Sequence, residues 1–111
     1  MNPDDLFSAF SSPLRRTILR LLLDGERNRL GLLDTLGMSP MSLQAGLSFL
    51  LNCGLVFHRR DGRNAFYSLD PSRREHVLAA FALSDRLERD EAAARFKQSL
   101  EPTSETPEDS R

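Results

Sequence analysis

Fifteen residues, Leu55 to Leu69 (LVFHRRDGRNAFYSL), constrain this chain more than any other stretch. Two short β-prone runs flank Asp61-Gly62, a pair that readily adopts the positive φ angles of a tight hairpin turn. Arg59, Arg60 and Arg63 crowd that turn. A two-stranded hairpin with a cationic tip is suited to lying along a nucleic-acid backbone. Arg60 and Arg63 flank the turn and are candidates for backbone or minor-groove contact, whereas Arg59 alternates to the opposite face.

The residues before the hairpin carry helix punctuation. Asp4 to Phe10 reads as a short helix, with Leu6, Phe7 and Phe10 at helical spacing. Ser12 and Pro13 form an N-cap and N1 pair that starts a second helix, ended near Asp24 by Gly25. Leu14, Ile18, Leu21 and Leu22 are its expected inner stripe. A third helix is expected over Arg29 to Leu36, with Leu30, Leu33 and Leu36 inward and Gly37 as the sharp turn. Ser39 and Pro40 start a fourth, which ends near Cys53 with Gly54 as the C′ residue and Leu43, Leu47, Leu50 and Leu51 inward. Two helices joined by a short turn at a glycine, the second well capped, are a helix-turn-helix layout. Pro71 and Ser72 restart a last helix that runs to about Gln98, its apolar side made by Val77, Leu78, Phe81, Leu87 and Phe96.

The expected fold is mostly α with a small β hairpin: a winged helix-turn-helix in the order α-α-α-α-β-β-α. Its domain would cover residues 1–98, and the polar, acidic stretch 99–111 would be a disordered tail. The last helix is long for so small a domain. It and the first helix are expected to pack against a second copy, giving a homodimer.

A length of 111 residues suits one compact domain, and 40% apolar content supports a real core. The formal net charge of −1 is unusual for a DNA binder, but the charge is unevenly placed. Residues 1–70 hold eight arginines against seven acidic residues, and residues 71–111 hold seven basic against nine acidic. The useful cations would therefore be local, near the hairpin, with weak long-range steering. The sole cysteine, Cys53, excludes an intrachain disulfide and reads as a small apolar residue at a helix end. A redox switch would need an accessible low-pKa thiolate with a resolving partner. No apolar run approaches the ~20 residues of a membrane span, and the acidic N-terminus lacks the layout of a signal peptide. The expected compartment is the cytoplasm. No phosphate-cradling loop, nucleophile elbow or metal-ligand cluster points to an enzyme.

The fourth helix is the candidate groove reader. Ser39, Met41, Ser42, Gln44, Ala45 and Ser48 lie off its leucine stripe and, with Arg60 and Arg63, form the expected DNA-binding set. Gln can pair bidentately with adenine, Ser can bond to bases or phosphate, and Ala and Met can touch a thymine methyl. No Arg, Lys or His occurs from Pro40 to Cys53, although most groove-reading helices carry a cation. Arg15 and Arg16 are open between phosphate contact and bonds within the domain. The alternative reading is a winged-helix protein-interaction scaffold with little DNA affinity, favoured by the net charge and the uncharged helix.

The segments SAFSSPLRRTILRLLLDG and SPMSLQAGLSFLLNCGLVFHRRDGRNAFYSL resemble the ArsR-type family of small bacterial winged-helix repressors. Pro13, Arg15, Ile18 and Leu19 match its second helix. Leu43, Leu47, Leu50, Gly54, Leu55 and Val56 match the reading helix and the entry to the wing. Arg60, Gly62, Arg63, Tyr67 and Leu69 match the wing, the most specific part of a likeness spanning roughly residues 6 to 70. The resemblance implies a homodimer joined through the first and last helices. It also implies double-stranded DNA with an inverted repeat as partner, and release on a signal; that regulation would come from a small-molecule or protein effector, or from autoregulation without ligand. The family's usual Ser and His on the reading helix fall at Gln44 and Gly46, and an apolar family position falls at Arg16. Metal-sensing members carry Cys-x-Cys in the third helix, where this chain has ERNRLGLLD. Others use Asp and His on the last helix, where Asp85 and His76 are off ligand spacing. His58 stands alone on a strand. No cofactor and no metal are expected.

Overall fold

The computed structural model describes residues 2–100, with side chains to residue 97. Its elements are α1 (Pro3–Phe10), α2 (Pro13–Leu23), β1 (Arg27–Asn28), α3 (Arg29–Leu36), α4 (Pro40–Asn52), β2 (Val56–Asp61), β3 (Asn64–Leu69) and α5 (Arg74–Leu100). A single 3-10 turn, Pro71–Arg73, leads into α5. The winged helix-turn-helix order expected from the sequence is present, with one addition. The sheet has three strands in the order β1-β3-β2, all antiparallel. Ser99 and Leu100, expected to begin the acidic tail, belong to α5, and the rest of that tail, residues 101–111, lies outside the described residues.

Side-chain caps fix where the helices begin. The Asn2, Ser12, Asn28 and Ser39 side chains accept from the backbone N–H of Asp5, Arg15, Gly31 and Ser42. Each bond satisfies a donor that the first helical turn leaves open, and losing one such cap costs about 1 kcal/mol. Pro3, Pro13 and Pro40 sit in the first turns of α1, α2 and α4, where a missing N–H is harmless. At the other ends, α3 stops at Gly37 and α4 at Cys53-Gly54.

The chain divides after Leu78 into two units. In the first, Ile18, Leu19 and Leu22 of α2, Leu32 of α3, and Leu43, Leu47 and Leu50 of α4 are buried with Leu55, Val56, Tyr67, Leu69 and Val77. No polar or charged residue is buried among the described residues. Several inner-stripe expectations need correcting, and Leu33 and Leu36 of α3 and Leu51 of α4 are only half-buried. Leu30 is 68% exposed, and Leu32 is the buried residue of α3. Leu30 sits in the first turn, in the open cleft beside Arg60 and Arg63 of the wing. On α2, Leu14 and Leu21 are only half-buried, and Leu19 joins Ile18 and Leu22 inside.

Gly46 is a buried residue of α4. A Cβ there would lie 2.9 Å from Ile18 Cδ1 and 3.7 Å from Leu14 Cδ2. It therefore serves the close approach of α4 to α2, and the position that aligns with the family's reading His points into the core.

The second unit contains α5 from Ala79 onward. Leu83, Leu87 and Phe96 are exposed there, at 56%, 59% and 65%. Its charged middle is solvated, with a Glu91–Arg95 pair of 3.1 Å one turn apart. No described helix is long and apolar enough to cross a membrane.

Candidate nucleic-acid interface

Leucines at 43, 47 and 50 pin one side of α4 to the core, so helical periodicity turns the intervening residues outward. Met41, Ser42, Gln44 and Ala45 are exposed and Ser48 is half-exposed. Ser39 is exposed too, but its hydroxyl is engaged locally. It accepts from the Ser42 N–H at 3.1 Å and lies 3.0 Å from Ser42 Oγ.

The wing is the β2–β3 hairpin, in register from Val56↔Leu69 to Asp61↔Asn64. Asp61 still belongs to β2, so the two-residue loop is Gly62-Arg63, one position later than the sequence suggested. Gly62 takes φ +63, the left-handed conformation that a two-residue hairpin loop asks of its first residue. Arg63 is thereby placed at the tip.

Adjacent residues on a strand face opposite ways, and the arginines divide accordingly. Arg59 is held on one face, donating to both carboxylate oxygens of Glu26 at 3.0 and 2.7 Å. Its guanidinium also lies 4.4 Å from the Phe66 ring centroid. The Arg59 hydrogen bonds hold the Glu26 carboxyl below its ordinary pKa, and Glu26 raises that of Arg59. The side chains of Arg60 and Arg63 are exposed and engage no side-chain hydrogen bond or ion pair among the described residues, while the Arg60 backbone pairs with Ala65 in the hairpin. They line one open cleft with Asn28, Arg29, Leu30, Asn64 and Ala65.

That cleft contains the residue the sequence reading missed. Arg29, the first residue of α3, donates from Nη1 to Gln44 Oε1 at 2.7 Å. Gln44 Nε2 in turn donates to Ser48 Oγ at 3.0 Å. A helix without any cation of its own thus carries one on its exposed face, lent by the preceding helix. Arg29 reaches both the wing and α4 because β1 pairs Asn28 with Phe66 of β3. A two-residue strand leaves too little periodicity to be read from sequence. The available clue was Asn28 as an N-cap, which puts Arg29 in the first turn of α3.

Other candidates turn inward. Arg15 donates to Ser8 O at 2.7 Å and lies 4.0 Å from the Phe49 ring centroid, while Arg16 donates to Phe10 O. Both therefore tie α2 to the end of α1, which also accounts for a cation at the apolar family position. The Cys53 thiol lies 3.5 Å from Leu50 O, and partial burial pushes its pKa up. His58 is exposed beside the Tyr67 ring, and His76 is exposed on α5. Among the described residues, no three His, Cys, Asp or Glu side chains cluster to hold a metal ion.

No family model matches the chain. A probable mercury resistance operon repressor of Streptomyces lividans is 36% identical over 79 residues, which is 70% of this chain and 63% of that protein. The match thus spans less than two thirds of that relative. Among solved structures, the homodimeric winged helix-turn-helix DNA-binding domain of a possible ArsR-family transcriptional regulator from Mycobacterium bovis superposes with a TM-score of 0.69. It is 27% identical, over 78% of this chain and 82% of that one. The transcriptional repressor BigR of Xylella fastidiosa superposes with a TM-score of 0.65 at 26% identity, covering 72% and 83% of the two chains.

Proposed function

We propose that this chain, which is similar in sequence and fold to ArsR-type winged-helix repressors, is a sequence-specific DNA-binding transcriptional regulator of the cytoplasm, working as a homodimeric repressor on an inverted repeat. The observation that carries this reading is the cleft that joins the unpaired Arg60 and Arg63 of the wing to Arg29, which is bonded to the exposed face of α4. Cations suited to phosphate and a polar helix face suited to base edges lie side by side on one surface.

In this proposal α4 enters the major groove, with Met41, Ser42, Gln44, Ala45 and Ser48 toward the bases and the Ser39 end of the helix toward the backbone. Arg60 and Arg63 reach backbone or minor groove. Two copies, joined through α1 and α5, place their reading helices about 34 Å apart. Exposed Phe7 on α1 and exposed Leu83 and Leu87 on α5 supply apolar surface for that joining. A small molecule or partner protein would release DNA by favouring another angle between the two reading heads. The signal is not a metal held by thiolates of one chain, since Cys53 stands alone. Selection of bound duplexes from a random pool tests the proposal. Enrichment of a palindromic site supports it, and an unenriched pool removes it.

A scaffold without DNA affinity is the second reading, favoured by the net charge of −1 and by exposed Phe57 on β2. A salt series separates the two. DNA binding weakens linearly on a log-log plot as salt rises, because phosphate contacts release counterions. A scaffold shows no specific complex to weaken.

A further inference from the structure

The Arg29–Gln44–Ser48 chain has a direction, and the direction bears on which base is read. A guanidinium has only N–H donors and no acceptor, so the amide atom 2.7 Å from Arg29 must be the Gln44 oxygen. The amide nitrogen then faces Ser48, to which it donates. Gln44 is therefore not a free amide offering one donor and one acceptor. Its carbonyl is already bonded and lies beside a positive charge. What remains open along the row is mostly donor: further Arg29 N–H groups, the second Gln44 N–H and the Ser48 O–H.

We propose that Arg29 is a specificity-determining residue that turns Gln44 from an adenine reader into part of a donor row for guanine. Adenine presents an acceptor (N7) and a donor (the N6 amino group) in the major groove, and an unencumbered Gln matches both. Beside Arg29 the amino group would meet another donor and a cation. Guanine presents two acceptors, O6 and N7, which the row can satisfy. This inference rests on the DNA-binding reading above and adds a base preference to it.

The test is duplex selection from a random pool with the full chain, its Arg29→Ala variant and its Gln44→Ala variant. The wild type should fix guanine at one position in each half-site, with replacement by 7-deazaguanine there weakening binding roughly tenfold. Arg29→Ala should lose that guanine and move toward adenine as Gln44 is freed. Gln44→Ala, which removes the amide that holds Arg29 and one donor of the row, should weaken the preference for guanine without replacing it by adenine. Arg29 is half-buried and its bond to Gln44 is exposed, so the unfolding midpoint should shift little while the preference changes. Retention of guanine by Arg29→Ala overturns the inference, even if binding to all duplexes falls equally, because Arg29 would then touch only phosphate. Adenine selected by the wild type at the position that depends on Gln44 overturns it as well. Both of those outcomes leave the DNA-binding function standing. A pool unenriched by the wild type removes the function and, with it, the base preference.

Discussion

The wing arginines Arg59, Arg60 and Arg63 divide two ways. Arg59 is bound to Glu26 and stacked on Phe66, so it braces the hairpin. Arg63 is exposed at the tip. Arg63→Ala should weaken specific and random duplexes alike and reduce the slope of log K against log salt by about 1, read by fluorescence anisotropy. An unchanged slope would take Arg63 out of the phosphate contacts. The Glu26–Arg59 pair carries a pH signature. The folded-state pKa of Glu26 is lowered, so its contribution to stability is present above the unfolded pKa and lost as pH falls through the folded value. Wild type should therefore exceed Glu26→Gln in stability at neutral pH, by a small margin because the pair is exposed. Urea titrations across acidic pH should show that margin closing. Cys53, with its pKa raised by burial, should react with thiol reagents more slowly than a free cysteine at neutral pH.

Helix ends were the most legible elements, because caps announce themselves in few residues. Ser12-Pro13 and Ser39-Pro40 mark the starts of α2 and α4, and Gly37 and Gly54 mark the ends of α3 and α4. Facing was harder. Leu30 has the spacing of a core residue, yet the first turn of α3 lies beside the wing and leaves it exposed. The site was half legible for a related reason. Exposed polar residues of α4 follow from its leucine stripe, whereas Arg29 joins them only through the register of β1 on β3. That pairing is a long-range fact with no local signature. At the α2–α4 contact, a Gly46→Val change should cost about 1–3 kcal/mol through overpacking against Ile18. Gly46→Ala gains about 1 kcal/mol of helix propensity and should come out near neutral in the same denaturant titration, since its clash is with a side-chain end. A large destabilisation by Ala would mean that Ile18 has no room to give.

For the whole molecule, a net charge of −1 means that the protein's field draws DNA in only weakly. Affinity then rests on local contacts made twice over. Leu83 and Leu87, one turn apart and exposed on α5, belong to the proposed joining surface. Leu87→Glu should shift the protein toward monomer in sedimentation and weaken operator binding, while leaving the winged-helix circular dichroism intact. A variant that stays dimeric would remove this part of α5 from the joining surface. Two reading helices and two wings should engage one duplex together. Hydroxyl-radical and methylation footprinting on the selected duplex measures this most directly. Major-groove purines should be protected in two half-sites about 34 Å apart, each flanked by protected backbone under a wing. Protection of one half-site alone, or of backbone without any groove purine, would contradict it.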